Sequence, residues 1–153
     1  MIGAGPIRVL FVCTGNSARS IMAEALLRHH GGPDFEAHSA GTEPKGVNPL
    51  TLDVLAEAGL HVGGAQSKSV QEFLDRRFDY VITVCDQARQ VCPVFPGSHR
   101  SLHWGYEDPA AAQGNEEERL RAFRSVFTAL STRIAQFVVT ARRVRSGEPV
   151  SLS

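Results

Sequence analysis

The stretch Ile7–His30, IRVLFVCTGNSARSIMAEALLRHH, fixes the architecture. Ile7 to Val12 is β-branched and almost wholly apolar, the pattern of a central parallel strand buried on both faces. Cys13-Thr14-Gly15-Asn16-Ser17-Ala18-Arg19 cannot continue that strand comfortably. Ser20 to His30 then places Ile21, Ala25 and Leu26 near helical spacing, and Gly31-Gly32 stops the helix. Strand, turn and helix make the first half of a βαβ unit.

Outward from that stretch the alternation continues. Phe35 to Ser39 reads as a second strand. Asn48 before Pro49 is an N-cap with proline at the first helical position, opening a helix that runs through Thr51 to Ala58 and ends at Gly59. Ser69 to Arg77 reads as a short helix, Tyr80 to Cys85 as another buried strand, and Ser101 to Trp104 as a last one after a loop marked by Pro93, Pro96 and Gly97. Glu116 to Arg143 predicts a long amphipathic helix with Leu120, Phe123, Phe127, Leu130, Ile134 and Phe137 three and four apart. Acids at its start and Arg142-Arg143 near its end suit the helix dipole. The expected fold is therefore α/β, a single flavodoxin-like, three-layer domain over 1–145. It has a small four-stranded parallel sheet with helices on both faces, and 146–153 is a tail. In such sheets ligands bind beyond the carboxyl ends of the strands, where Cys13 and Cys85 both fall.

Composition narrows the chemistry. Lys plus Arg and Asp plus Glu are each 16 of 153 residues, a formal net charge of zero. Nucleic-acid and anionic-membrane partners are not expected of a neutral chain. Anion chemistry must then come from a local site. Met1 to Pro6 shows no basic leader, Ile7–Cys13 is too short to span a bilayer, and a cytoplasmic monomer is expected. Three cysteines without an export signal do not suggest a disulfide framework. They are small buried hydrophobes or they are chemistry.

Cys13 is the candidate nucleophile. A turn running straight into a helix can aim the backbone N–H groups of Thr14, Gly15, Asn16, Ser17 and Ala18 at one tetrahedral oxyanion, with the helix dipole adding to the field. Gly15 is expected to supply a backbone conformation that other residues resist. Arg19 can hold two oxyanion oxygens at once, and Ser20 can donate a hydrogen bond to the sulfur. The same field favours the thiolate of Cys13.

The segment Val9–Ser20, VLFVCTGNSARS, with Met22-Ala23-Glu24 after it, resembles the opening of the low-molecular-weight tyrosine phosphatase superfamily. Within it the chain most resembles the thioredoxin-coupled arsenate reductases. His38-Ser39-Ala40-Gly41-Thr42 and His103-Trp104-Gly105 through Gln113-Gly114 are similar as well, so the likeness runs from about Val9 to Phe137. It implies that Asp108, in Asp108-Pro109, is the general acid that protonates the leaving oxygen, with Glu107 as its neighbouring competitor. It implies also that arsenate is the substrate, with phosphate and sulfate as competing oxyanions, and that thioredoxin is the electron donor.

Cys85 and Cys92, with Asp86 to Val91 between them, separate reduction from hydrolysis. A phosphatase needs only the nucleophile, the arginine and an acid, whereas reducing arsenate to arsenite takes two electrons, which two thiols supply as one disulfide. In the resembled reductases Cys13 forms an arseno-adduct, Cys85 attacks Cys13 to release arsenite, and Cys92 moves the disulfide to Cys85–Cys92 for thioredoxin. That relay requires the segment 85–92 to be a turn or short helix able to rearrange. The alternative is a tyrosine or small phosphate-monoester phosphatase, weakened by Ala110-Ala111-Ala112 where the phosphatases tend to place tyrosines. Weak residual phosphatase activity is compatible with the reductase. Some relatives bind potassium beside the loop through residues matching Asn16, Glu24 and Ser39 plus an aspartate. Lys68 stands in that aspartate's place, so potassium is not expected, nor any tightly bound cofactor. No metal site is assigned, and none of the six histidines is given a ligand role.

Overall fold

Ile7–Cys13 (β1) is buried along nearly its whole length and has a parallel neighbour on each side. In the computed structural model, which describes residues 5–60, 65–97 and 99–147, it is followed by Arg19–Gly31 (α1), Phe35–Gly41 (β2) and Pro49–Glu57 (α2). Tyr80–Thr83 (β3), Asp86–Val91 (α3), Arg100–His103 (β4) and Glu116–Arg145 (α4) complete the order. The sheet order is β2-β1-β3-β4 and every neighbouring pair is parallel. Chain connections leave β1 toward β2 on one side and return to β3 on the other, so the crevice between the ends of β1 and β3 is the switch point where such sheets place ligands. Cys13 closes β1 there, paired with Gly41, and Val12 is paired with Thr83.

Both faces of the sheet are covered. Phe35 and His38 lie three apart on β2 and so point to opposite sides. Phe35 meets Phe137 of α4 at a centroid distance of 6.1 Å, and Phe137 also packs on Tyr80 and Trp104. On the other side His38 meets Phe73 and Phe78, and Phe78 meets Phe95. The expected stripe of α4 buries Phe123, Leu130, Ile134 and Phe137, and is extended by Val138 and Ala141. Leu120 and Phe127 lie at its half-buried edge. Asn115 and Glu118 form a capping box at its start.

Two expectations are corrected. Ser69 to Arg77 is not an α-helix: Ser69 and Glu72 form a capping box, but only a 3-10 turn at Val70–Phe73 follows. Phe73 and Phe78 are both buried, and five residues on one helix would set them about 140° apart, on different faces. The chain breaks so that both rings reach one cluster. The strand expected over Tyr80 to Cys85 ends at Thr83, and Cys85 instead caps α3. Of the two edge strands, β2 and β4, the second is four residues long, with Arg100 and Ser101 exposed. Of the expected tail only Ser146 and Gly147 lie among the described residues, and among those residues no helix is long and apolar enough to cross a membrane.

Candidate active site

The loop after β1 is held from outside. Segment 42–48 runs along it: Thr42 N–H donates to Cys13 O, Glu43 N–H to Thr14 O, Lys45 N–H to Gly15 O and Asn48 N–H to Ser17 O, all between 2.8 and 3.0 Å. The hydroxyls of Ser67 and Thr51 add a bond each, to Gly15 O and Ser17 O. In a trans peptide the next N–H points opposite to the carbonyl. Fixing the carbonyls of residues 13, 14, 15 and 17 outward therefore turns the N–H groups of Thr14, Gly15, Asn16 and Ala18 inward, as anion binding requires. Asn16 shows the result, its N–H donating to Cys13 Sγ at 3.2 Å.

The residue that carries the strained backbone is Asn16, at φ 45°, and not Gly15. Asparagine tolerates the left-handed region better than most side chains. Gly15 is open around its missing side chain, since a Cβ there would approach nothing closer than 3.5 Å. The glycine the loop needs is Gly41, where a Cβ would sit 2.6 Å from Thr14 O and 2.9 Å from Asn16 N. The sequence shows Gly41 only as part of a familiar segment, because its neighbour is 25 or more positions away.

A chain of hydrogen bonds ends on the sulfur. Lys68 N–H donates to Asn16 Oδ1 at 2.6 Å, and Asn16 Nδ2 donates to Ser20 Oγ at 2.7 Å. Ser20 Oγ thus accepts from Asn16, leaving its proton for Cys13 Sγ at 2.8 Å. Cys13, Asn16 and Ser20 are all buried. Behind them Glu24 accepts from Ser39 Oγ, pairs with Arg28 at 2.6 Å and lies 3.6 Å from Lys68 Nζ. Lys68 therefore meets this cluster twice, by its backbone at Asn16 and by its ammonium at Glu24.

Arg19 and Asp108 face each other across the mouth. Arg19 Nη1 donates to Tyr106 O at 2.9 Å, and Nη2 lies 3.9 Å from Asp108 Oδ2. Asp108 Oδ1 caps the 3-10 turn Pro109–Ala111 by accepting from Ala110 N–H. The carboxylate is about half exposed, while the guanidinium is largely covered. Tyr106, whose carbonyl aims the arginine, was not foreseen, because a backbone group leaves no mark in a sequence pattern.

Cys85 joins the same place from β3. Its Sγ lies 3.3 Å from Thr14 Oγ1, in the loop after β1, and accepts from Ala88 N–H at 3.4 Å as the cap of α3. Cys92 caps the other end of α3. Seven residues of helical rise separate the two Cα atoms by about 10 Å. Burial pushes the Cys92 thiol up from its ordinary value. All three cysteines are free. The site therefore assembles Cys13, Arg19, Asp108 and Cys85 with the loop and its supports, and leaves Cys92 one helix away.

Residues 8–147 match the family described as low molecular weight phosphotyrosine protein phosphatase. An arsenate reductase of Halalkalibacterium halodurans is 37% identical over 134 residues, covering 88% of this chain and 96% of that protein. Among solved structures, a thioredoxin-dependent arsenate reductase from Corynebacterium glutamicum superposes with a TM-score of 0.72 at 29% identity, covering 92% of this chain. This chain spans 64% of that longer one. An arsenate reductase in the phosphate binding state gives a TM-score of 0.76 at 27% identity, covering 88% of this chain and 98% of the other. A low molecular weight protein tyrosine phosphatase from T. tengcongensis superposes as well, with a TM-score of 0.72 at 26% identity, covering 88% of this chain and 99% of the other. The chain belongs to the low molecular weight phosphotyrosine protein phosphatase family, and arsenate reductases are among the relatives it is similar to.

Proposed function

We propose that this protein reduces arsenate to arsenite through Cys13, Cys85 and Cys92, with thioredoxin restoring the thiols. The observation that carries the reading is the contact of Cys85 Sγ with Thr14, which brings a second thiol to the oxyanion loop of the first. Cys13 Sγ attacks arsenic in the cradle of N–H groups and Arg19, while Asp108 gives a proton to the departing hydroxide. Cys85 then attacks Cys13 Sγ. The sulfur–arsenic electron pair goes to arsenic, which leaves as arsenite, and one sulfur–sulfur bond holds the two lost electrons' place. Cys92 attacks Cys85 next and frees Cys13 as a thiolate.

The last step needs α3 to unwind, because a disulfide requires Cα atoms within about 7 Å. Unwinding also lifts Cys92 from the burial that holds it as a thiol. A titration checks this. The folded value of Cys92 lies above the unfolded one, so its contribution to stability is complete below the unfolded value and is lost as pH rises through the folded one. Iodoacetamide labelling of Cys92, followed by mass spectrometry, should reach half its limiting rate at a higher pH in the reduced fold than in urea. Equal midpoints would contradict the buried thiol.

The supports favour a reaction without potassium. Lys68 Nζ approaches Glu24, which is also paired with Arg28, so positive charge is already supplied there. Turnover and melting temperature should be the same in potassium and sodium salts. Lys68→Ala should lower activity, and a rise in either quantity specific to potassium would overturn this role. We place the enzyme in the cytoplasm, acting as a monomer, with phosphate and sulfate as competitors at the loop.

The second reading is a phosphatase, favoured by Arg19 and Asp108 facing one loop as hydrolysis requires. The test is arsenate-dependent NADPH oxidation with thioredoxin and its reductase, run beside aryl-phosphate hydrolysis, in wild type, Cys85→Ser and Cys92→Ser. Loss of arsenate turnover with hydrolysis retained supports the relay. Arsenate turnover retained in either variant removes it.

A further inference from the structure

His103 lies outside the oxyanion loop, yet its ring joins the two residues that bracket the Cys85 turn. Nδ1 is 2.8 Å from Thr83 Oγ1, on the last residue of β3, and Nε2 is 2.7 Å from Asp86 Oδ1, on the first residue of α3. Backbone bonds run beside it: Trp104 N–H donates to Thr83 O and Tyr106 N–H to Val84 O. The two ends differ in their surroundings. The Thr83 end is set in the sheet, whereas the Asp86 side chain is 86% exposed. Thr83 Oγ1 also has Leu102 O within 3.4 Å, so its proton can go either way. A neutral ring accepts from Thr83 and donates to Asp86, and a charged ring donates to both while Thr83 turns to Leu102. Both protonation states keep the staple closed.

A segment that must first hold Cys85 still and then unwind needs an anchor fixed at one end and weakly held at the other. We propose that His103 is a positioning residue for the thiol hand-over, stapling Cys85 against Thr14 for the attack on Cys13 and letting α3 go at Asp86 when Cys92 arrives. This rests on the relay read above. Its two halves separate by variant: Asp86→Ala removes the releasable end alone, His103→Ala removes both, and His103→Gln restores both. A glutamine carbonyl can accept from Thr83 while its amide N–H donates to Asp86.

The experiment measures arsenite release and the disulfide left behind in a single turnover of the reduced full-length chain. Separately, without arsenate, it measures the equilibrium of the Cys85–Cys92 disulfide against dithiothreitol. Aryl-phosphate hydrolysis reports the oxyanion loop in every variant and should not change. Asp86→Ala opens the staple at its exposed end, so arsenite release should slow, though less than in His103→Ala, with the dithiothreitol equilibrium moved about two- to fivefold toward the disulfide, as expected for losing an exposed contact. His103→Ala should slow arsenite release by about tenfold, the scale of a small misplacement of a reacting group, and His103→Gln should recover it. Wild-type release in His103→Ala, no recovery in His103→Gln, or an unmoved equilibrium in Asp86→Ala would each overturn the proposal. If His103→Ala does not fold, His103→Gln and Asp86→Ala still decide it, with glutamine required to match wild type in both measurements. If wild type itself releases no arsenite, the relay fails, and the dithiothreitol equilibrium alone then judges the staple.

Discussion

Cys13→Ser should bring arsenate turnover and aryl-phosphate hydrolysis down together, each by at least about 10⁴-fold. The reason is specific to the site. The N–H of Asn16 and the hydroxyl of Ser20 converge on a buried sulfur, an arrangement suited to holding an anionic nucleophile. A serine hydroxyl in their midst stays protonated and has no general base within the loop to activate it. The fold should survive, since the loop is tied by its carbonyls to segment 42–48 and not by the sulfur. Circular dichroism and the melting temperature check that point. The contrast with Cys85→Ser carries the argument further, because there only the reductive reaction should be lost. If Cys13→Ser kept hydrolysis, the nucleophile would be another residue.

Gly41→Ala is the second large effect, and nothing in its own backbone predicts it. An added methyl would press into Thr14 O, Asn16 N and Asn16 Cβ at 2.6 to 3.0 Å, and all three belong to the oxyanion loop. None is the free end of a flexible side chain. Either β2 or the loop must move, at an overpacking cost of about 1–3 kcal/mol. Movement of the loop turns inward N–H groups away from the anion, and displacements near 1 Å cost about 100-fold in rate. Expected results are a lower midpoint in urea and kcat/KM reduced for arsenate and aryl phosphate alike. Gly15→Ala is the control, because its Cβ would meet only Lys45 and Ser17 side-chain atoms at 3.5 Å and beyond. Should the two variants behave alike, the close approach of β2 would not be what shapes the loop.

These two glycines show where the sequence was readable. Cys13, Arg19 and the strand-turn-helix around them are local, so apolar patterning and turn chemistry within one stretch suffice to find them. The long helix was legible for the same reason, its apolar period running unbroken from Leu120 to Phe137. Gly41 and segment 42–48 act across the sheet, and no local pattern distinguishes a glycine that must be small from one that must bend. Gly15 looked like the second kind, yet Asn16 took the left-handed turn. The helix expected over Ser69 to Arg77 does begin with a capping box at Ser69, but it stops after one turn because burial of Phe73 and Phe78 overrides it. Cys85 was placed on a strand because its neighbours are apolar. Capping α3 brings its sulfur to Thr14 instead.

The shortness of β4 bears on how safely this molecule can cycle. Each round of the proposed relay melts α3, and Val91 and Val94, already exposed in the reduced fold, flank the thiol that moves. A long apolar strand at the sheet margin would then offer other chains a template for intermolecular pairing. Four residues beginning with exposed Arg100 and Ser101 offer little to pair with. Repeated oxidation and reduction should therefore leave the protein monodisperse in light scattering at concentrations where a lengthened, apolar β4 would seed aggregates.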